Sequence, residues 1–276
     1  MSELAIRESH EICSLVNDVI VELAKQEQAE CPVRHYFGQG IAIREVEFPA
    51  GKMAVGHIQK YQHWNLFLKG KVRMLCHDGS YQDLSAPMMF MGEAGRKVGF
   101  ILEDVVWQNI YATDITDPEE LENYFMDKSS PLGDFSDYRL SGQSLDDDGD
   151  YLNAIAELGY TQEMVEAEYL RTDDLIAFPF GELCVQVSNS AIHGKGLFAT
   201  APMNAGYMIP ARLSGKRTPA GRYTNHSKTP NAKFIEVSGD IYMQLLSDVG
   251  GCKGGLLGNE ITIDYRDAVR VSRGIK

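Results

Sequence analysis

Short runs in which apolar and polar residues alternate fill the chain from Gly40 to Tyr111. Alternation of this kind is typical of β-strands that bury one face. The runs span residues 41–48, 53–57, 64–68, 72–76, 88–90, 97–101 and 105–111. Turn-forming residues separate them at 49–51, 69–71, 78–79, 86–87 and 94–95. Many short strands with regularly spaced turns predict an all-β sandwich or barrel for this region.

Length and composition limit the class of protein. The 276 residues suffice for two domains, and 44% hydrophobic residues with a mean hydropathy of -0.23 are typical of a soluble globular protein. The 5 cysteines are scattered and odd in number, which favours a reducing compartment over a disulfide framework. No apolar run reaches the roughly 18 residues that a membrane span needs, and the N-terminus lacks a signal-peptide pattern. We therefore expect a cytoplasmic protein that does not associate with a membrane.

Charge is distributed unevenly along the chain. Residues 113–177 carry a net charge of -15, residues 178–276 carry +5, and residues 1–112 carry -3. A total of -13 disfavours binding to nucleic acid. The opposite charges of the last two regions predict that the acidic segment, if folded, docks on the basic one. A solvated, self-repelling tether is the alternative.

Helical patterns occur outside the strand-rich regions. Apolar residues from Ile12 to Leu23 recur at helical spacing and predict an amphipathic helix that ends near Glu30. Its apolar stripe either docks on the next domain or pairs with a second subunit, so a homo-oligomer is one of the expected states. Asp117-Pro118 predicts another helix start, and residues 151–158 and 161–170 predict two short helices.

A calcium site is one possible interpretation of the Asp-rich run at residues 146–150. It lacks the alternating ligands and the distal Glu of an EF-hand loop, so we interpret it as a solvated linker or a helix start. The chain then divides into an N-terminal helix (1–30), a β-barrel domain (31–112), an acidic helical connector (113–177) and a compact β domain (178–276). The predicted fold class is mainly β with accessory helices.

The predicted barrel resembles the cupin family of small jelly rolls. The residues that carry this resemblance are Pro49-Ala50-Gly51, His57, His63 and the stretch Phe67-Leu68-Lys69-Gly70-Lys71-Val72. Residues 92–111 also resemble small proteins encoded by tailed phages. Cupins often hold a metal, but His57 and His63 are six positions apart, and no Glu or later His completes a ligand set. We expect no metal here, with both histidines as ordinary residues and Trp64 and Trp107 as core or pocket aromatics.

Three ordered motifs lie in the last hundred residues. They are Ile192-His193-Gly194-Lys195-Gly196-Leu197-Phe198-Ala199, Gly221-Arg222-Tyr223-Thr224-Asn225-His226-Ser227 and Gly258-Asn259-Glu260-Ile261-Thr262-Ile263-Asp264-Tyr265. The alternating Ile261, Ile263 and Tyr265 predict a strand. Together the motifs resemble the SET-domain protein lysine methyltransferases, so residues 178–276 are expected to form a SET-type β domain.

The resemblance implies S-adenosylmethionine as cofactor and the lysine side chain of a protein as substrate. It implies catalytic roles for Tyr265 and Tyr223. It also implies cofactor-binding roles for Gly194, Lys195, Gly196, Leu197, Arg222, Asn225 and His226. The alternative from the residues alone is that the glycines form a tight turn, Asn225 and His226 satisfy buried backbone groups, and Tyr265 is a strand residue.

The sequence departs from the family pattern around the substrate groove. Only 29 positions separate Gly196 from Asn225, which is short for the helical insert that forms one wall of that groove. No cysteine-rich zinc segment follows Tyr265. A non-enzymatic phage structural or accessory interaction protein with a degenerate SET fold is therefore a second hypothesis. Its location would be the bacterial host cytoplasm or the virion.

Overall fold

The computed structural model describes residues 16–76, 78–129 and 148–274. The chain separates by its contacts into two compact units. The first comprises residues 1–115, 120–138 and 252–256, and the second comprises residues 116–119, 139–251 and 257–276. Both consist mainly of β-strands, as the alternating sequence patterns predict. Within the described ranges, none of the helices has the length and apolar character needed to cross a membrane.

The first unit contains nine strands and two helices among the described residues. The strands are β1 (Val33–Gly38), β2 (Ile41–Phe48), β3 (Met53–Val55), β4 (Ile58–Gln59), β5 (His63–Leu75), β6 (Tyr81–Ser85), β7 (Met88–Gly92), β8 (Val98–Ala112) and β9 (Met126–Asp127). Residues 16–24 form helix α1, and Pro118–Phe125 form α2, whose residues from Glu120 onward belong to this unit.

The strands of the first unit pair antiparallel. The main sheet has the order β1-β2-β8-β5-β6, with β3 also paired to β8 and β7 also paired to β5, while β4 pairs with β9. A core cluster of Phe67, Val72, Ile101 and Val105 comes from the two long strands β5 and β8. Side chains at the start of β5 alternate between buried and exposed, so one face of this sheet covers the core.

The alternating patterns predict four short strands where the structure has the two long strands β5 and β8, so that prediction is wrong. Residues 64–68 and 72–76 were expected on either side of a turn at 69–71, but β5 continues through Gly70 with register shifts against β8. Gly70 has a φ of 91°, and a Cβ there would lie 2.2 Å from the carbonyl oxygen of Asp104. Glycine marks a bulge here because the neighbouring backbone approaches too closely for a side chain. In the same way, residues 98–101 and 105–111 belong to the single strand β8.

Helix α1 is shorter than its apolar pattern predicts. The described helix ends at residue 24 and not near Glu30. The side-chain amide of Gln28 donates to the carbonyl oxygens of Leu23 and Gln26, which satisfies acceptors that a continuing helix would use. The predicted start at Ile12 lies outside the described residues, as do Asp146 and Asp147 of the acidic run.

The second unit holds the remaining elements. They are α3 (Asp148–Glu157), α4 (Gln162–Leu170), β10 (Gly181–Leu183), β11 (Val185–Asn189), β12 (Lys195–Ala199), β13 (Met208–Leu213), β14 (Lys216–Arg217), α5 (Pro219–Arg222), β15 (Asn225–His226), β16 (Ala232–Val237), β17 (Asp240–Leu245), β18 (Glu260–Ile263) and α6 (Tyr265–Ser272). Helices α3 and α4 form at the positions that the sequence predicts. Thr161 caps α4, because its hydroxyl accepts from the amide of Met164.

Two four-stranded sheets form the body of the second unit. One has the order β11-β12-β18-β15, and the other has the order β14-β13-β17-β16. Strands β15 and β18 run parallel, with Asn225 opposite Thr262 and His226 opposite Ile263. This pairing brings two of the three sequence motifs side by side.

Tyr265 does not belong to a strand, contrary to the alternating pattern. Strand β18 ends at Ile263, and Tyr265 begins helix α6. The carboxylate of Asp264 accepts from the amide of Arg266, which caps the helix and turns the chain at this point. The two isoleucines and the tyrosine match a strand pattern over too few residues to exclude a helix start.

Candidate cofactor site

Asn225 joins the first and second motifs. Its amide nitrogen Nδ2 lies 3.1 Å from the carbonyl oxygen of His193, 3.1 Å from that of Lys195 and 2.8 Å from Oε1 of Glu260. A primary amide nitrogen carries two hydrogens, so the three acceptors share them. The side chain therefore ties the glycine loop to the third motif within a cluster that is rich in acceptors.

Glu260 is a member of this cluster that sequence reasoning did not select. Its side chain is 2% exposed, and the hydroxyl of Ser190 lies 2.7 Å and 2.9 Å from its two carboxylate oxygens. Its place in the third motif, next to Ile261 at the start of a buried strand, was the available signal. A buried acid at such a place requires hydrogen-bond donors.

Each of the two loop positions requires glycine for a different structural reason. Gly194 has a φ of 49°, in the left-handed region that favours glycine. Gly196 has an ordinary φ, but a Cβ there would lie 2.2 Å from Oε1 of Glu260. The amide of Ser190 donates to the carbonyl oxygen of Gly194 at 2.7 Å, so the loop is also a tight turn. Both glycines allow the loop to approach the acceptor cluster.

His226 links the second motif to the end of the third. Its Nδ1 accepts from the backbone amide of Tyr265 at 3.2 Å, and its Nε2 lies 3.0 Å from Oδ2 of Asp150. A neutral ring with the proton on Nε2 satisfies both contacts. Asp150, on α3, therefore orients His226, and no pattern around Asp150 in the sequence predicted this role.

Tyr265 lies against the same histidine. Its hydroxyl donates to the carbonyl oxygen of Thr224 at 3.2 Å, and its ring centroid is 5.2 Å from that of His226 and 6.2 Å from that of Tyr151. Burial raises the pKa of the Tyr265 hydroxyl well above its usual value. The phenol is therefore neutral over the whole physiological range and acts as a hydrogen-bond donor.

Arg222 and Tyr223 pack on a residue that the sequence did not single out, Tyr169 of α4. The guanidinium of Arg222 donates to the carbonyl oxygen of Tyr169 and lies 5.8 Å from the centroid of its ring. The ring of Tyr223 meets the Tyr169 ring edge to face at 6.1 Å. Loss of solvation on burial lowers the pKa of Arg222. Leu197, by contrast, has no exposed surface and pairs with Ile261, which is the position of a core residue.

Acidic residues from the predicted connector contact arginines of the second unit. Arg266 forms ion pairs with Asp150 at 3.0 Å and with Glu157 at 2.6 Å. Arg217 forms ion pairs with Asp174 at 2.6 Å and with Glu168 at 2.8 Å. Hydrogen bonds from Arg266 and His226 lower the pKa of Asp150 to about 2. These contacts hold α3 and α4 beside the second and third motifs.

In the first unit, His57 and His63 occupy separate environments. His57 lines a cavity of 110 Å³, whereas Nδ1 of His63 lies 3.1 Å from the carbonyl oxygen of Tyr61. Trp107 also lines the cavity, and Trp64 is 44% exposed and so is neither a core nor a pocket residue. Across the part of the chain that the structure describes, no group of three or more His, Cys, Asp or Glu side chains is arranged to hold a metal ion.

Comparison with known proteins identifies no family for this chain. No family model and no curated protein sequence matches it. Solved structures with partial similarity include a transcriptional regulator of the HTH_3 family from Vibrio cholerae, with 15% identity, a TM-score of 0.25 and coverage of 30% of this chain. The chain spans about half of that regulator, 51% of its length.

Two further structures are described as cupin proteins. One, a cupin superfamily protein from Desulfitobacterium hafniense, shows 14% identity and a TM-score of 0.26 over 32% of this chain and 83% of its own. The other, a cupin-2 domain containing protein from Shewanella frigidimarina, shows 10% identity and a TM-score of 0.23 over 28% of this chain and 74% of its own. Likeness at this level covers about a third of the chain and bears on no activity.

Proposed function

We propose that the second unit is a SET-type methyltransferase that transfers a methyl group from S-adenosylmethionine to lysine side chains of a protein substrate. The observation that carries this proposal is the convergence of three motifs that are far apart in sequence. Asn225 bonds the backbone of residues 193 and 195 and the carboxylate of Glu260, while His226 accepts from the amide of Tyr265. Of these six residues, the family resemblance selects Lys195, Asn225, His226 and Tyr265. His193 precedes the selected Gly194, and Glu260 lies within the third motif.

The chemistry of the acceptor cluster fits the amino acid end of this cofactor. Two backbone carbonyl oxygens and one carboxylate oxygen surround a single amide nitrogen, and an ammonium group prefers such acceptors. The carboxylate of Glu260 and the carbonyl groups of His193 and Lys195 would therefore accept from it, and Asn225 positions these three acceptors. When bound, the cofactor supplies an electrophilic methyl group on a sulfonium.

Methyl transfer then requires that the sulfonium methyl group and the lysine amine be held in line, and residues of this chain would position them. The Tyr265 hydroxyl stays protonated because burial raises its pKa, so it is a fixed donor beside the carbonyl oxygen of Thr224. A lysine ammonium withdrawn from water beside the sulfonium cation would lose its proton more readily than in water. Orientation alone is worth about 7–11 kcal/mol of a displacement barrier, so no general base is needed.

Helices α3 and α4 are proposed as the wall of the substrate groove. Between the end of β12 at Ala199 and Asn225 the chain forms only strands β13 and β14 and the four-residue helix α5. Asp150 and Tyr151 of α3 contact His226 and Tyr265, and Tyr169 of α4 contacts Arg222 and Tyr223. On this proposal the acidic connector replaces the helical insert of SET-domain enzymes, and its charge favours a basic, lysine-bearing protein substrate.

Isotope-labelled methyl transfer to cell proteins, read by mass spectrometry, tests this function. The wild type should produce methyl-lysine, and Tyr265→Phe should reduce the rate about tenfold or more, because the hydroxyl no longer orients the reacting groups. Tyr242→Phe, on β17, is the matched control and should leave the rate unchanged.

Methyl-lysine at the level of a reaction without enzyme would contradict the proposed function. Equal rates in the wild type and in Tyr265→Phe would instead remove Tyr265 from the catalytic site while leaving methyl transfer in place.

A further inference from the structure

The interior of the first unit contains a cavity that the proposed methyltransferase site does not use. It has a volume of 110 Å³, and most of its lining is apolar, with side chains such as Phe48, Val72, Ile101 and Trp107. An apolar cavity of about 150 Å³ holds benzene, so this smaller cavity, which is open to solvent, suits a group no larger than a single ring or a short alkyl chain. Pockets with apolar walls and a few polar groups are the usual form of small-molecule sites.

Most polar side chains of the lining already have partners. Nε of Arg44 donates to Glu122 at 2.6 Å, Gln59 accepts from the hydroxyl of Tyr111 at 3.1 Å, and Asn109 donates to Asn65 at 2.9 Å. His57 and Lys97 differ from them. No residue within 16–76, 78–129 or 148–274 forms a hydrogen bond or an ion pair with the side chain of either.

The charges around the cavity are mainly positive. The cations Arg44, Lys128 and Arg96 act on His57, against the single carboxylate of Glu122. Loss of solvation, and then Arg44, lower the pKa of His57 to about 4, so its ring is neutral at pH 7. Burial also lowers the pKa of Lys97, whose ammonium lacks a counter-charge. A protein with a net charge of -13 thus holds a cationic cavity.

We propose that this cavity binds a small organic carboxylate, with its apolar body among the strands and its charge paired with Lys97. The apolar walls supply a hydrophobic contribution to binding, and the ammonium supplies selectivity for an anion over a neutral molecule of the same shape. A bare inorganic anion lacks the apolar part, and a neutral hydrocarbon leaves Lys97 without its partner. This proposal does not depend on methyl transfer.

Fluorescence titration of the full chain with benzoate tests the site. The chain has 2 tryptophans, so Trp64→Phe, at a side chain that is 44% exposed, leaves Trp107 in the cavity wall as the single reporter. Benzoate should change the Trp107 emission saturably, and benzamide, its uncharged isostere, should bind about tenfold more weakly. Lys97→Met should weaken benzoate binding about tenfold and benzamide binding less than about twofold.

Two further variants locate the effect. Lys52→Met, at an exposed lysine of the same unit, should leave benzoate affinity unchanged. Ala54→Phe, which fills the cavity, should abolish the titration. Equal affinity for benzoate and benzamide, no saturable change at Trp107, or benzoate binding that survives Ala54→Phe would each overturn the proposal. If Lys97→Met loses its fold, Lys97→Arg should retain benzoate binding, and the comparison of benzoate with benzamide in the parent protein still decides.

Discussion

Among the described residues each unit buries one glutamate, and the two carboxylates have different surroundings. Glu122 in the first unit is 5% exposed and lies 2.6 Å from Nε of Arg44 and 2.8 Å from Nζ of Lys128. Glu260 in the second unit is 2% exposed and accepts from the neutral groups of Ser190 and Asn225. The first carboxylate is neutralised by cations, as in a structural ion-pair cluster, whereas the second belongs to a set of acceptors gathered by three motifs.

The surroundings of a buried carboxylate decide whether its replacement changes mainly stability or also binding. Removing one member of an ion-paired cluster leaves the others buried without compensation, so its effect falls on folding. Changing a neutral member of the hydrogen-bonded set leaves its partners unsatisfied at about 1–3 kcal/mol, a smaller cost to folding than an unpaired buried ion, and it also removes a proposed contact at the cofactor site. Predictions for the two units therefore differ in both size and readout.

The largest expected effect is on the stability of the first unit. Glu122→Gln should reduce its free energy of unfolding by about 3–5 kcal/mol at pH 7, because Arg44 and Lys128 then remain buried without a counter-charge. Urea titration followed by tryptophan fluorescence measures it, since both tryptophans lie in this unit. Glu103→Gln, at an exposed glutamate, is the control. A loss below about 1 kcal/mol would contradict the assignment of a buried ion-pair cluster.

The same variant should change the acid dependence of stability. Lys128 and Arg44 hold the pKa of Glu122 well below its usual value, against the effect of burial. A carboxyl whose pKa is lowered by folding stabilises the protein above its unfolded pKa of about 4.3, and this contribution is lost as the pH falls further. Glu122→Gln should therefore unfold less steeply with acid than the wild type does.

A smaller effect is expected where α3 meets the second unit. Asp150→Asn removes a charge that pairs with Arg266 and orients His226, at a cost of about 1 kcal/mol, so amide hydrogen exchange in α3 should accelerate about fivefold. Salt at about 1 M, which shortens the screening length to ~3 Å, should have a similar effect on the wild type. Asp173→Asn, whose side chain is 76% exposed, should not. Exchange in α3 at the rate of an unstructured chain in every sample would indicate a tether.

The sequence predicts the structures of the two units to different extents, and the reasons are physical. Strand patterns located most of the first unit, because burial of one face imposes alternation on the residues. The sequence predicts a turn at Gly70 where the structure has a bulge. A glycine that is needed because the Asp104 carbonyl is close looks the same in the sequence as a glycine in a turn. The pairing of Arg44 with Glu122 joins residues 78 positions apart and leaves no local pattern.

In the second unit the structure brings Asn225, Gly194 and Gly196 together around one acceptor cluster, and His226 lies beside Tyr265. Their role in binding a cofactor stays a prediction. The sequence analysis does not predict a site role for Glu260, although this residue lies within the third motif. It does not predict roles for Asp150 and Tyr169 because those roles depend on how α3 and α4 pack. Tyr265 was assigned to a strand, since the cap formed by Asp264 was not recognised.

Calorimetric titration with S-adenosylmethionine tests the central claim that the three motifs form a cofactor site. The wild type should bind one equivalent, and Asn225→Ala should bind about tenfold more weakly, since it loses hydrogen bonds worth ~0.5–1.5 kcal/mol each. Asn204→Ala, at an exposed asparagine of the same unit, should bind as the wild type does. Circular dichroism would show that all three proteins are folded. Binding that is absent from the wild type, or equal in the wild type and Asn225→Ala, would contradict the account.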